Sequence, residues 1–435
     1  MYGGFEFRNF VYSGLYAAVS KNSDCLVLRR PFDSVVMKKL DAQYDLKTVE
    51  APTSSIVSSR SRIDRWHYGA RRARMRVSGE GNFNYFKKDV SNGKLDWLKG
   101  SRIVCNTLRT CALRQMRRDY VDVEVEAVLS DQGVTDLVLS GYSNVSTQIL
   151  ANTAIKRGIR VWLTINSWKD LYVNSFIGFK PAGVFVWSEA MRQHVRATNN
   201  HILDERISVA GNPAFDRFHH YTPQKMGDYY AVKYGFETTR PILLYSMLSP
   251  RAYSSEKEVI RLLDGELSRR WPDIRDRPIL LLRKNPIDES GLKECDFEVG
   301  NVRIAENYWE SSYQDEIYIQ SAAGEHEWMD LLSIASINLN VASTVTLESL
   351  MMRVPVINIE FGDEGVEDPE LCRYGDAPFY QALKGRRDVV AVKSLSECMD
   401  VINGMITDPE IDALPELLSH FDGQSVAKIV EEVRV

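Results

Sequence analysis

The sequence predicts an α/β protein built from two Rossmann-like, doubly wound parallel-sheet domains facing each other across a cleft. Three observations predict it. Short apolar runs alternate with amphipathic stretches from Asp136 to about residue 220, and a second such series follows a polar, aromatic connector at residues 219–239. Strand alternating with helix implies parallel pairing. Residues 336–361, SINLNVASTVTLESLMMRVPVINIEF, place a buried strand, a hydroxyl-rich turn, an amphipathic helix and a second buried strand in one βαβ unit. Finally, 435 residues exceed one ordinary core and match two or three units of about 150 to 220 residues.

The N-terminal quarter reads least clearly. Asp24 to Arg29 and Ser101 to Cys105 look like strands, with an Arg-rich helix and an excursion through Gly79, Gly81 and Asn82 between them. From Asp136 the pattern sharpens. DLVLSG is a strand, Asn144 to Arg157 a helix ended by Gly158, IRVWLTI and AGVFVWS two strands, MRQHVRAT a helix, and Ile207 to Ala210 a strand stopped by Gly211, Asn212 and Pro213. In the second series PILLYSML, PILLLRK, NVRIAE, Ser336 to Val341, Pro355 to Ile359 and DVVAVKS are strands. IRLLDGELSRRW, EWMDLLSIA, Thr344 to Met352 and LSECMDVINGMI are the helices between and after them. The expected domains are therefore 1–220 and 221–435.

Hydrophobic content of 44% with 26% charged residues is that of a globular protein, and no run approaches the roughly 18 apolar residues of a membrane span. Phe10 to Val19 is short, interrupted by Ser13 and Gly14 and preceded by Glu6, so no signal peptide is expected and the chain is placed in the cytoplasm. Six scattered cysteines without a C-x-x-C pair argue for reduced thiols rather than a zinc site or disulfide frame. The net charge of −5 conceals an asymmetry: Met1 to Tyr120 hold 23 Lys and Arg against 11 Asp and Glu. The densest basic part, Arg60 to Arg76, interleaved with Trp66, His67 and Tyr68, suits anionic lipid headgroups or a phosphorylated glycolipid at the inner membrane face. Nucleic acid is disfavoured by the pI near 5.9 and by the absence of any nucleic-acid-binding motif.

The turn of the βαβ unit lies at a strand's carboxyl end, where open parallel sheets bind ligands. A helix beginning at Ser343 and Thr344 aims N–H groups and a positive dipole end at that edge, which suits a phosphate. Glu348, one turn on, is placed to accept from a ribose diol. Arg283, Lys284 and Asn285 end another strand on the same edge and would neutralise a diphosphate leaving group, with Ser246, Ser249 and Arg251 in a third polar loop. In the first half, TINSWKD and GNPAFD close strands on the cleft side. Asn166 and Trp168 with Arg65 and His67 are candidates for an acceptor, and Gly211 and Asn212 for the donor. Asp170, Asp131, Asp64, His67 and Glu189 are candidate general bases, Asp170 and Asp131 foremost. No G-x-S-x-G, Walker A, H-E-x-x-H or Asp-x-Asp motif is present, and His326-Glu327 with Asp330 reads as a helix surface. Neither a cofactor nor a tightly bound metal is expected.

The motifs VTDLVLSG, IRVWLTINSWKD, GVFVWSEAMRQHV, RISVAGNPAFD, LLLRKNPID and NLNVASTVTLESLMMRVPVINIEF, in this order over about residues 130 to 400, resemble bacterial surface-carbohydrate transferases related to CDP-glycerol glycerophosphotransferases and retaining Kdo transferases. More distantly the chain is similar to UDP-GlcNAc 2-epimerases. The resemblance implies the GT-B architecture with a nucleotide-sugar cleft, donor phosphate at Ser343 and Thr344, ribose at Glu348, and the phosphate region at Arg283 and Asn285. It implies a glycosyltransferase acting on a surface polysaccharide or lipid-linked glycan, with transfer of glycerol phosphate or non-catalytic sugar binding as alternatives. Two departures stand out: Asn285 replaces the histidine of the relatives' Arg-x-His-Pro, and Lys169-Asp170 follows Trp168 where they often show Asp-Asn. The paired acids and histidines of epimerase chemistry are not recognisable.

Overall fold

The computed structural model of the chain describes residues 4–29, 35–50, 101–142, 145–173, 176–223, 225–249, 253, 255–285, 292–297, 301–306 and 319–434. The expected basic helix at residues 60–76, with Arg65 and His67, lies outside the described residues, as does Arg251. Two compact units form, one of Met1–Asp216 with Glu416–Val435 and one of Arg217–Pro415. The expected break after residue 220 thus falls four residues further back, and the last twenty residues, expected in the second domain, belong to the first.

In the first unit, α1 (Gly4–Phe7), a π-helical turn (Arg8–Tyr12) and α2 (Leu15–Ser20) precede β1 (Val27–Arg29), α3 (Val35–Gln43) and β2 (Thr48–Glu50). α4 (Arg102–Asp119) and α5 (Val123–Asp131) follow, then β3 (Asp136–Ser140), α6 (Val145–Lys156), β4 (Arg160–Thr164), α7 (Asp170–Val173), β5 (Gly183–Val186), α8 (Glu189–Thr198) and β6 (Ile207–Val209). Ser101 to Cys105 is not a strand. Ser101 caps α4 by accepting the Val104 N–H at 3.2 Å, and Ala112, Leu113 and Met116 then bury one helical face.

Strands β3 to β6 form a parallel sheet in sequence order, while among the described residues β1 pairs with β2 alone. A cavity of about 800 Å3 is lined by both β1 and β3, among apolar side chains that include Phe10, Leu15, Leu137 and Val430. Among the described residues the strands of this unit thus form two separate sheets. Chain α9 (Pro213–His219) leaves the unit, and the C-terminal helix returns to it. Asp216 receives that helix by accepting the Ser425 and Val426 N–H groups at 3.1 and 2.9 Å. Ile429, Val430 and Val433 then pack on Trp162 and Phe185.

The second unit contains α10 (Gly227–Tyr234), β7 (Ile242–Ser246), α11 (Glu256–Arg270), β8 (Ile279–Arg283), β9 (Val302–Ile304), α12 (Ala322–Ile334), β10 (Ile337–Asn340), α13 (Thr344–Met351), β11 (Val356–Ile359), α14 (Pro369–Gly375), β12 (Val389–Val392) and α15 (Leu395–Thr407). Its six strands run parallel in the order β12-β11-β10-β7-β8-β9. Connections from β7 run one way through β8 and β9, and those from β10 run the other way. The sheet reverses between β7 and β10, and a crevice opens at such a switch point, outside the carboxyl ends of the strands.

Candidate functional site

Four asparagine or hydroxyl side chains that no apolar strand needs build the edge at the switch point. Asn338 and Asn340 are fully buried within β10. Asn338 Nδ2 donates to Ser246 Oγ at the end of β7 (2.9 Å), and Asn340 Nδ2 donates to Asn338 Oδ1 (2.8 Å). Asn340 Oδ1 then accepts from the Ser343 N–H (3.2 Å), the Ser343 hydroxyl (3.3 Å) and the Thr346 hydroxyl (3.2 Å). From β11, Asn358 Oδ1 accepts the Ala342 N–H at 3.2 Å, while its Nδ2 donates to Tyr380, whose hydroxyl also bonds Thr346. Buried amides left unpaired would each cost about 1–3 kcal/mol, so the satisfied set fixes one geometry for the turn. That geometry holds Ala342 at φ +27°, a conformation that tertiary context must enforce. Ser343 caps α13 through the Val345 N–H at 3.3 Å, and Ser343 and Thr344 stay partly exposed at the edge.

The neighbouring strand ends supply the cation. Met247 N–H donates to the Arg283 carbonyl (3.0 Å), aligning the ends of β7 and β8. Arg283 is half-buried, its guanidinium 4.0 Å from the centre of the Trp328 ring and donating to Gln320 Oε1 at 3.2 Å. Lys284 is turned to the Leu292 carbonyl at 2.6 Å, and Asn285 beside it is half-buried. Glu256, absent from the sequence reading, is buried and accepts the Leu248 N–H at 2.9 Å, which pins the loop after β7.

Four expected donor contacts are structural. Ser246 is buried beneath Asn338 and serves as its acceptor. Glu348, expected to meet a ribose, is 3% exposed and accepts the Trp328 indole N–H at 2.7 Å. Gly211, at φ +88°, and Asn212 lie in the first unit against the returning C-terminal segment: a Cβ on Gly211 would collide with Ser425 Oγ and lie 3.1 Å from the His420 carbonyl oxygen. Asn212 Oδ1 accepts the Ala214 N–H at 3.1 Å and starts α9. Gly211→Ala is therefore expected to destabilise the protein by about 2–4 kcal/mol, read as a lowered melting temperature in calorimetry. Of His326, Glu327 and Asp330, expected on a helix surface, only His326 is exposed; Glu327 is buried and accepts from Lys233 (2.7 Å) and Tyr234 (2.6 Å), and buried Asp330 accepts from Tyr221 and Tyr230 (2.8 Å), lashing α10 to α12.

The first unit has its own polar edge at the ends of β3 and β4. Asn166 Oδ1 accepts from Asn9 Nδ2 (2.8 Å) and from the Ser140 hydroxyl. Asn9 sits in the π-helical turn, a geometry found often at functional sites. Asp170 opens α7 in the same loop. Burial pushes its carboxyl up to about 6; the Glu6 carboxylate adds to the rise, while Lys169 and a Ser167 backbone hydrogen bond oppose it. Burial also raises Glu6 and lowers Lys169. A carboxyl poised near neutrality can exchange a proton with a hydroxyl. Trp168 is not an acceptor platform, being 1% exposed in the core. Asp131 is exposed at the end of α5, which leads into the amino end of β3, so it lies at the edge opposite Asn166.

No family model matches the sequence, and no curated protein matches it. Solved structures do. The UDP-GlcNAc 2-epimerase of Neisseria meningitidis bound to UDP-GlcNAc is similar at 12% identity and a TM-score of 0.54, covering 100% of this chain and 98% of that one. The Methanocaldococcus jannaschii UDP-GlcNAc 2-epimerase in complex with UDP-GlcNAc and UDP gives 14%, 0.55, 100% and 98%. S. aureus MnaA with UDP gives 10%, 0.55, 100% and 94%. Structures similar in fold thus include UDP-GlcNAc 2-epimerases, the more distant of the resemblances expected from the sequence. At these identities the likeness establishes the fold: two Rossmann-like sets of parallel strands, as in GT-B enzymes.

Proposed function

We propose that this chain is a GT-B glycosyltransferase that moves a sugar from a nucleotide-sugar donor to a hydroxyl of a surface polysaccharide or glycolipid, without a bound metal. The observation that carries it is the switch point of the second unit, where a turn scaffolded by Asn340 presents the start of α13 on the same sheet edge as Arg283, two strands away. The acceptor oxygen bonds the anomeric carbon as the bond from that carbon to the phosphate oxygen breaks. Arg283 and the helix start take the charge that develops on the departing nucleoside diphosphate. Asp170 takes the proton of the acceptor hydroxyl in the first unit, where the basic region around Arg65 and His67 would meet an anionic acceptor or inner-membrane surface. No helix among the described residues is long and apolar enough to cross a membrane.

A thermal-shift screen of CMP, CDP, UDP, GDP and dTDP tests the donor half. One nucleotide at a hundredfold excess over its Kd should stabilise the native state by about 2.7 kcal/mol; no shift with any of them would remove the reading. The structural likeness to epimerases favours a second reading, proton transfer at the donor sugar itself. Incubating UDP-GlcNAc in D2O without acceptor separates the two, since deuterium at C2 marks epimerisation. CDP-glycerol in the same screen separates glycerol phosphate transfer.

A further inference from the structure

Glu348 and Trp328 form a buried connection between the helix after the phosphate turn and the cation on β8. Trp328 is 2% exposed and Glu348 3% exposed. The indole N–H donates to Glu348 Oε2 at 2.7 Å, and the face of the same ring carries the Arg283 guanidinium at 4.0 Å. A carboxylate accepting from the indole N–H pushes electron density onto the ring, which strengthens its hold on a cation. Gln320 completes the seat, accepting from Arg283 at 3.2 Å while its own amide donates to the Gly324 carbonyl at 2.7 Å, in the first turn of α12. Arg283 is thereby held in place before any ligand arrives, which removes most of the rotamer entropy an arginine would lose on binding.

The distance across the sheet says what Arg283 would meet. The start of α13 follows β10, and Arg283 ends β8, with β7 between them. Two strand spacings are roughly 10 Å, more than one phosphate group spans. A second phosphate reaches towards the β8 side.

We infer that Trp328 and Glu348 are positioning residues that hold Arg283 for the distal phosphate of a nucleoside diphosphate, and that Glu348 acts through the indole rather than on a ribose. The inference rests on the donor reading of this edge. It is tested by isothermal titration of UDP against UMP and of CDP against CMP, using the full chain and its Arg283→Ala, Trp328→Leu and doubly substituted forms. The unsubstituted protein should prefer the diphosphate. Arg283→Ala should lower that preference about tenfold, Trp328→Leu nearly as much, and the double substitution no further, because both remove one interaction. Glu348→Gln, which keeps an acceptor for the indole N–H, should leave the preference within about threefold.

Additive losses, or losses equal for mono- and diphosphate, would overturn the inference. A Glu348→Gln protein weakened alike towards both would show a ribose contact and overturn it too. If Trp328→Leu does not fold, Trp328→Phe keeps a ring beneath Arg283 and should retain the preference; its loss there with Arg283 intact counts against the stacked seat. Failure of the unsubstituted chain to bind any nucleotide defeats the donor reading itself, whereas binding that ignores Trp328 defeats only the positioning.

Discussion

Asn340→Asp is expected to give a folded protein that binds its nucleoside diphosphate about a hundredfold more weakly. The carboxylate still accepts the three donors now gathered on Asn340 Oδ1. What it loses is the N–H that Asn340 gives to Asn338. Asn338 can turn its amide to donate to the new oxygen, and the Ser246 hydroxyl can reverse to donate back, so the network closes with its polarity inverted. The fold survives with an anion fixed beneath the helix start. At an effective dielectric near 20 and a separation of about 6 Å, two unit charges repel by roughly 3 kcal/mol, a factor of about a hundred in affinity. Asn340→Ala acts differently. It leaves three buried or half-buried donors without their acceptor and should cost about 3–5 kcal/mol of stability, lowering the melting temperature before binding is ever measured. Titration calorimetry of the Asp variant decides the matter: unchanged affinity would mean the phosphates do not sit at this turn.

The parallel sheets were legible because strands buried on both faces spell continuous apolar runs, as ILLYS of β7 and ILLLR of β8 do. SRIVC has the same look and is the first turn of α4, since five apolar-leaning residues cannot reveal their period without the capping Ser101 and the later Ala112 and Met116. The return of residues 416–435 to the first unit was not legible either. It depends on Asp216 and Ser425 meeting, 209 positions apart. At the site, Ser343 and Thr344 could be placed from the strand-turn-helix pattern, but Asn338 and Asn340 read merely as polar interruptions of a strand. Their role exists only through cross-strand partners on β7 and β11. Glu348 was placed on the right helix and given the wrong surroundings, because helical spacing fixes which face a residue occupies and not what packs on it. Trp328, twenty residues earlier, is what packs there.

Asp170→Asn should raise the melting temperature at pH 7.5 by about 5 °C and leave it nearly unchanged at pH 4. The folded carboxyl titrates at about 6 against an ordinary value of 3.8, chiefly because burial disfavours its charge. The raised value means that the folded state binds this proton more tightly than the unfolded chain. The resulting stability is fully present below about pH 3.8 and is lost as the pH rises through 6. Above that, the buried charge costs at most about 3 kcal/mol, two units at roughly 1.4 kcal/mol each. Asparagine mimics the protonated acid at every pH, so the two proteins should agree in acid and separate near neutrality. A group kept at such a cost in stability is what a proton acceptor requires, and the same substitution should abolish transfer to a hydroxyl acceptor while leaving nucleotide affinity intact. Calorimetry at the two pH values checks the first half. A melting temperature that moved equally at both, or fell at pH 7.5, would show that Asp170 is held ionised by partners and is no candidate base.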